Sequence, residues 1–153
     1  MSTAPRVFLI DTELGAQCRA YSENVADAIV LATSDERAAG RVYNVGNEEA
    51  LSVHELVELM GQVAGWSGRI LALPADELPE VLRERGGLDQ DFVLDTTRIR
   101  SELGYRERVD LMEGLRRTVE WMRLHPPAPD DRHPLLQRKT DYVAEDAVIA
   151  RHH

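Results

Sequence analysis

The sequence predicts an α/β protein in which short apolar strands are set between amphipathic helices, and three observations carry that reading. The runs Val7-Phe8-Leu9-Ile10 and Arg69-Ile70-Leu71-Ala72-Leu73 have strand length and are bounded by turn residues. Between them the apolar period lengthens to that of a helix, as in Val25, Ala28, Ile29 and Ala32. Two further helix starts are marked by capping chemistry, at Ser52 and at Asp110.

Taken in order, the first run is a buried strand and residues 11–17 are a loop broken by Gly15. Ser22 is the expected N-cap of the first helix, which Ala38-Ala39-Gly40 stops. Arg41-Val42-Tyr43-Asn44-Val45-Gly46 is expected as a strand ending on glycine. In Ser52-Val53-His54-Glu55 the serine can accept from the amide three residues on while the glutamate reaches back, with Leu51 and Leu56 placed to staple the turn. That helix runs to Gly65, and the next strand, 69–73, is closed by Pro74. Parallel pairing is expected where a helix joins two strands, as between 42–45 and 70–73. Residues 76–85 are expected as a short helix broken by Gly86-Gly87, and Phe92-Val93-Leu94 as a brief extended piece. Asp95 is placed to cap a helix with Ile99 and Leu103 on one face and Gly104 at its end. Asp110 starts the last strong helix, with Leu111, Leu115, Val119 and Met122 on its stripe and His125-Pro126-Pro127 as its stop. The organisation is then a module over 1–125 and a Pro- and charge-rich tail over 126–153, expected to be mobile apart from a weak helix at 142–150.

The 153 residues suffice for one domain with a real core, and 43% of them are apolar. No apolar run reaches bilayer length, so no membrane partner is expected and the expected compartment is the cytoplasm. The net charge of −9, with arginines interleaved among acids, argues against a nucleic-acid backbone as partner. Cys18 is alone, flanked by Gln17 and Arg19, and reads as a partly buried thiol.

The motifs of cofactor chemistry are missing from this sequence. A dinucleotide site needs a Gly-rich turn between a strand and a helix start, whereas Gly61, Gly65 and Gly68 fall at a helix end. No phosphate-loop lysine pattern occurs, and the histidines have no zinc-ligand spacing, so no metal is expected. The positions four residues after Tyr21, Tyr43, Tyr105 and Tyr142 are Val25, Asn47, Val109 and Asp146, so none of these tyrosines has a lysine one turn away to make it a base. No catalytic residue is expected in this chain, and Tyr43 and Tyr105 read as packing aromatics.

Four segments in order carry a resemblance. They are Tyr21-Ser22-Glu23-Asn24-Val25-Ala26-Asp27-Ala28-Ile29, then Val42-Tyr43-Asn44-Val45-Gly46, then Leu51-Ser52-Val53-His54-Glu55-Leu56. The fourth joins Asp95-Thr96-Thr97-Arg98 through Leu103-Gly104-Tyr105 to Gly114-Leu115-Arg116-Arg117-Thr118. Together, over residues 7–123, they resemble the C-terminal, substrate-binding portion of an extended short-chain dehydrogenase/reductase, of the NAD-dependent epimerase/dehydratase family. The resemblance implies an incomplete Rossmann fold and a truncated form of an enzyme of carbohydrate metabolism. NAD(P) belongs, by that implication, to the family's N-terminal half, and no cofactor to this chain alone. It implies substrate-binding roles for Arg19, Tyr21 and Asn44, toward a small polyol, sugar or sugar nucleotide. Nucleotide-diphosphate-binding members usually carry an arginine four residues before the tyrosine matched by Tyr21; here that position is Gln17 and Arg19 is the nearest arginine. A second arginine often precedes the segment matched by Asp95, where residues 89–94 are acidic and apolar. The implied partner is a Rossmann chain or a second copy, and the alternative role is a non-catalytic module that docks on a separate Rossmann chain.

Overall fold

The computed structural model describes residues 7–11, 15–78, 91–126 and 142–152. In chain order the elements are strand β1 (Val7–Asp11), helices α1 (Ser22–Ser34) and α2 (Val53–Ala64), and strand β2 (Arg69–Leu73). Helices α3 (Thr97–Leu103), α4 (Leu111–Leu124) and α5 (Tyr142–Arg151) follow. Short 3-10 turns occupy Glu36–Ala38 and Ala75–Glu77. Of the helix expected over 76–85, the described part is the end of that second 3-10 turn followed by an extended Leu78; residues 79–85, the Gly86-Gly87 break and residues 127–141 lie outside the described residues.

β1 and β2 are the two apolar runs, and they pair with each other in parallel, Val7 opposite Arg69 and Asp11 opposite Leu73. This corrects the expected pairing of 42–45 with 70–73. Residues 41–46 are not a strand in a ladder; they run without helix, turn or bend. The alternation that predicts a strand is there, but packing satisfies it. Tyr43 and Val45 turn inward onto Ala28, Ile99, Leu103 and Tyr105, while Val42 and Asn44 point out. Among the described residues, the amides of 42–46 make no ladder bond, because no strand lies beside them. Phe92 makes a single parallel bridge to Gln17, so the expected extended piece shrinks to one paired residue.

The N-cap of α1 is Tyr21, in extended conformation and without a side-chain bond, not the expected Ser22. The tyrosine holds that position through its ring, which lies on Gly114 of α4. The α1 helix ends at Ser34, earlier than the glycine suggests, because Asp35 Oδ1 accepts from Arg37 N (3.0 Å) and starts the 3-10 turn. The α2 start is the full capping box: Ser52 Oγ accepts from Glu55 N (3.2 Å), and Glu55 Oε2 accepts from Ser52 N (2.8 Å). Ser52→Ala removes one arm of that box, and thermal or urea melts should show a loss of about 1 kcal/mol. Gly65 and Gly104 end α2 and α3 with φ of 66° and 73°, the left-handed region that favours glycine.

Asp95 acts one residue earlier than a conventional cap. Thr96 takes the N-cap position of α3, while Asp95 Oδ1 accepts from Thr97 N at 2.8 Å. At α4, Asp110 Oδ1 accepts from Glu113 N (2.8 Å), but the returning arm is absent because Glu113 turns to Arg116 and Arg117. The main core joins α1, α3 and the 42–46 segment. A second, smaller cluster sets Val148 of α5 on Leu73 and Leu78, so part of the C-terminal stretch is a docked helix.

Candidate functional site

Arg19 and Tyr21 sit on a strip of chain sewn from both sides by distant segments. Phe92 N donates to Ala16 O (2.8 Å) and Cys18 N to Phe92 O (2.7 Å). On the other side Gln17 N donates to Leu51 O (3.0 Å) and Asn47 N to Arg19 O (2.7 Å). Ala16 N also donates to Asp91 Oδ1 (2.8 Å). Two stretches far from it in sequence, 47–51 and 91–92, thereby hold residues 16–19 extended, which sets the direction from which α1 departs.

The Arg19 guanidinium is already engaged by its own neighbourhood. It donates to Leu51 O (3.3 Å), Gln17 O (3.3 Å) and Gln17 Oε1 (3.0 Å). Gln17 therefore helps to orient the Arg19 side chain. The Tyr21 hydroxyl donates to Glu23 Oε1 (3.2 Å), and its ring rests on Gly114, where a Cβ would come within 3.2 Å of Tyr21 Cγ. Asn44 is exposed and donates through Nδ2 to Asp95 O (3.1 Å). The structure places the Arg19 and Asn44 segments side by side through the Asn47 amide. It makes no hydrogen bond among the side chains of Arg19, Tyr21 and Asn44, each of which has another partner.

A rim of charge beside Tyr21 was not singled out from the sequence. Glu113 accepts from Arg116 Nε (2.8 Å) and Arg117 Nε (2.7 Å), and Arg117 Nη1 reaches Glu23 Oε2 (2.9 Å), tying α4 to α1. The signal was available in the spacing, since Glu113 lies three and four residues before the two arginines on one helix face. Hydrogen bonds from Arg116 and then Arg117 hold the Glu113 carboxyl well below its usual range, at about 2. Its folded-state value is depressed, so the stabilising contribution is complete above about 4.5 and fades as pH falls toward 2. Urea midpoints should therefore drop between pH 5 and pH 2 in the parent chain, and that drop should be smaller in Glu113→Gln.

Tyr43 and Tyr105 are tuned away from base chemistry. Burial, then the bond to Glu102 (2.8 Å), raises Tyr43, and burial raises Tyr105. Tyr105 is 3% exposed, which agrees with the packing role expected of it. Cys18 is a half-buried free thiol. Among the described residues no three His, Cys, Asp or Glu side chains gather as metal ligands, and no helix is long and apolar enough to cross a membrane.

The glycine cluster at α2 is not built as a phosphate-binding turn. The glycines of α2 lie at its C-terminal end, where Gly65 N donates to Gln62 O (3.2 Å) and Trp66 N to Gly61 O (2.8 Å). The Gly65 amide is satisfied, and the dipole at that end repels phosphate.

The strands, helices and sewn strip define a part of an α/β fold, and comparisons with known proteins agree. No protein-family model matches the chain. A dTDP-glucose 4,6-dehydratase of Streptomyces griseus is 40% identical over 89 residues, 57% of this chain and 24% of that protein. The uncharacterized protein YbjS of Escherichia coli K12 is 32% identical over 130 residues, 71% of this chain and 39% of that protein. A UDP-N-acetyl-alpha-D-glucosaminuronate decarboxylase of Bacillus cytotoxicus is 26% identical over 112 residues, 71% of this chain and 33% of that protein. Among solved structures, RMD from Pseudomonas aeruginosa complexed with NADPH superposes with a TM-score of 0.58 at 17% identity, over 75% of this chain and 35% of that one. Pal from Bacillus thuringiensis gives 0.58 at 21% identity, over 77% and 35%. The two structures speak for the fold alone. The relatives and the ordered motifs are consistent with a C-terminal part of an extended short-chain dehydrogenase/reductase. The chain spans between about a quarter and two fifths of the length of these relatives.

Proposed function

We propose that this chain shapes the substrate pocket of an NAD-dependent epimerase/dehydratase-like protein in the cytoplasm, and that by itself it is catalytically inactive. One observation carries the reading. Residues 42–46 alternate in and out like a strand, yet their backbone has no ladder partner among the described residues, and Val42 is 78% exposed. An edge of this kind is completed by a strand of another sheet. A Rossmann portion, bearing the NAD(P) loop and the Tyr-x-x-x-Lys pair absent here, supplies that sheet. Arg19, Tyr21 and Asn44 then contact a sugar or sugar nucleotide, the class named in the relatives dTDP-glucose 4,6-dehydratase and UDP-N-acetyl-alpha-D-glucosaminuronate decarboxylase.

Fluorescence titration with NADH tests the first half of this: the chain alone should show no saturable binding, and micromolar affinity would overturn the reading. Co-expressed with a Rossmann portion, the pair should turn over a sugar nucleotide, with KM raised by Arg19→Ala and Tyr21→Phe. The exposed edge equally favours a second reading, a non-catalytic module that docks on a separate Rossmann chain. In that case a complex forms but turnover does not depend on Arg19, Tyr21 or Asn44.

A further inference from the structure

Between α2 and the start of β2 lies an open groove of about 380 Å³ that shares no residue with the Arg19–Tyr21 strip. Its walls include His54, Glu58, Gln62, Trp66 and Arg69, with Gly61 beneath the indole. His54, Glu58 and Gln62 recur every fourth residue and so form one stripe along α2. His54 Nε2 lies 3.3 Å from Glu58 Oε1, which holds the carboxylate in the wall. Trp66 is placed by two glycines. The left-handed turn at Gly65 returns the Trp66 amide to Gly61 O (2.8 Å), and a Cβ on Gly61 would stand 3.0 Å from Trp66 Cε3. A side chain there would press the indole away from the helix by a few tenths of an ångström. Gln62 and Arg69 are exposed and take no part in an ion pair or side-chain hydrogen bond among the described residues.

An aromatic surface beside three planar hydrogen-bonding groups is a particular chemistry. The indole offers an apolar face for a ring of C–H groups. The carboxylate accepts, the amide donates and accepts, and the guanidinium donates through a rigid fork, all matched to neighbouring hydroxyls. The groove is too open and polar for an apolar ligand. A polyanion is disfavoured because the lining holds one arginine together with Glu58, in a chain of net charge −9. We propose that this groove binds a neutral saccharide ring, stacked on Trp66 and held at its hydroxyls by Glu58, Gln62 and Arg69. The site stands apart from the substrate pocket proposed above and does not depend on it.

The test uses the full chain with Trp121→Phe, which leaves Trp66 as its single tryptophan. Methyl β-D-glucopyranoside, methyl α-D-mannopyranoside and N-acetylglucosamine are titrated through the millimolar range while Trp66 emission is followed. A saturable change with at least one of them is expected, weakened about tenfold by Arg69→Ala and by Gln62→Ala. Both residues are exposed, and unchanged circular dichroism confirms that the variants fold. Arg19→Ala and Tyr21→Phe should leave the response intact. No saturable response to any of the three sugars, or one that survives both groove substitutions, overturns the proposal. So does a response lost in Arg19→Ala or Tyr21→Phe, which would move the sugar to the other pocket.

Discussion

Asn24→Ala should lower the stability of the chain by about 3 kcal/mol, read as a shift of the urea midpoint at unchanged slope. Asn24 is 1% exposed, inside α1, and uses both ends of its amide. Nδ2 donates to Val109 O (2.8 Å), while Oδ1 accepts from Arg108 N (3.2 Å) and Val109 N (3.1 Å). The backbone carbonyl of the same residue accepts from the Tyr105 hydroxyl (3.3 Å). Truncation strands one buried carbonyl and two amides at the entry to α4, and unpaired buried groups cost more than their bonds contributed. Asn24→Asp separates the two halves of the amide: it keeps the acceptors but sets a carboxylate against the Val109 carbonyl. Its loss should fall between parent and Asn24→Ala. A change within about 0.5 kcal/mol for the alanine variant would mean that α1 and the 108–109 turn are not held by this side chain.

Gly46→Ala should cost about 1–3 kcal/mol by overpacking, and Cys18→Ala should rescue most of it. A Cβ on Gly46 would lie 2.1 Å from Cys18 Sγ, so the sulfur or the segment must move. Moving the segment breaks the Asn47 N to Arg19 O bond and carries the proposed edge away from the strip. With the sulfur removed, the nearest atoms would be Arg19 O at 3.6 Å and Cys18 Cβ at 3.8 Å, which is ordinary contact. The double-mutant cycle should therefore show coupling of about 1 kcal/mol or more, and additive losses would refute the contact.

Local chemistry was legible in the sequence. The Ser52–Glu55 box, the glycine ends of α2 and α3, and both β1 and β2 are written within a few residues of where they act. What depends on a distant partner was not. Asn24 looks like one polar position on an apolar helix because its partners are 84 and 85 residues away. The alternation at 42–46 is a true strand pattern, but a pattern names a face to bury and not the neighbour that pairs. Arg19 could be singled out only as a candidate, and its engagement by Leu51 appears once the strip is sewn.

That sewing has a consequence for the order of events during synthesis. Residues 16–18 need Leu51 and Phe92, β1 needs β2, and Asn24 needs Val109. The strip cannot finish until residue 92 has left the ribosome, and Asn24 must wait for residue 109. Chains emerge at about 5–20 residues per second, so the first strand waits several seconds for its last contacts, and contacts of such long range form slowly even then. A nascent chain stalled before residue 109 should be cut readily by protease, and one stalled beyond the end of α4 should resist.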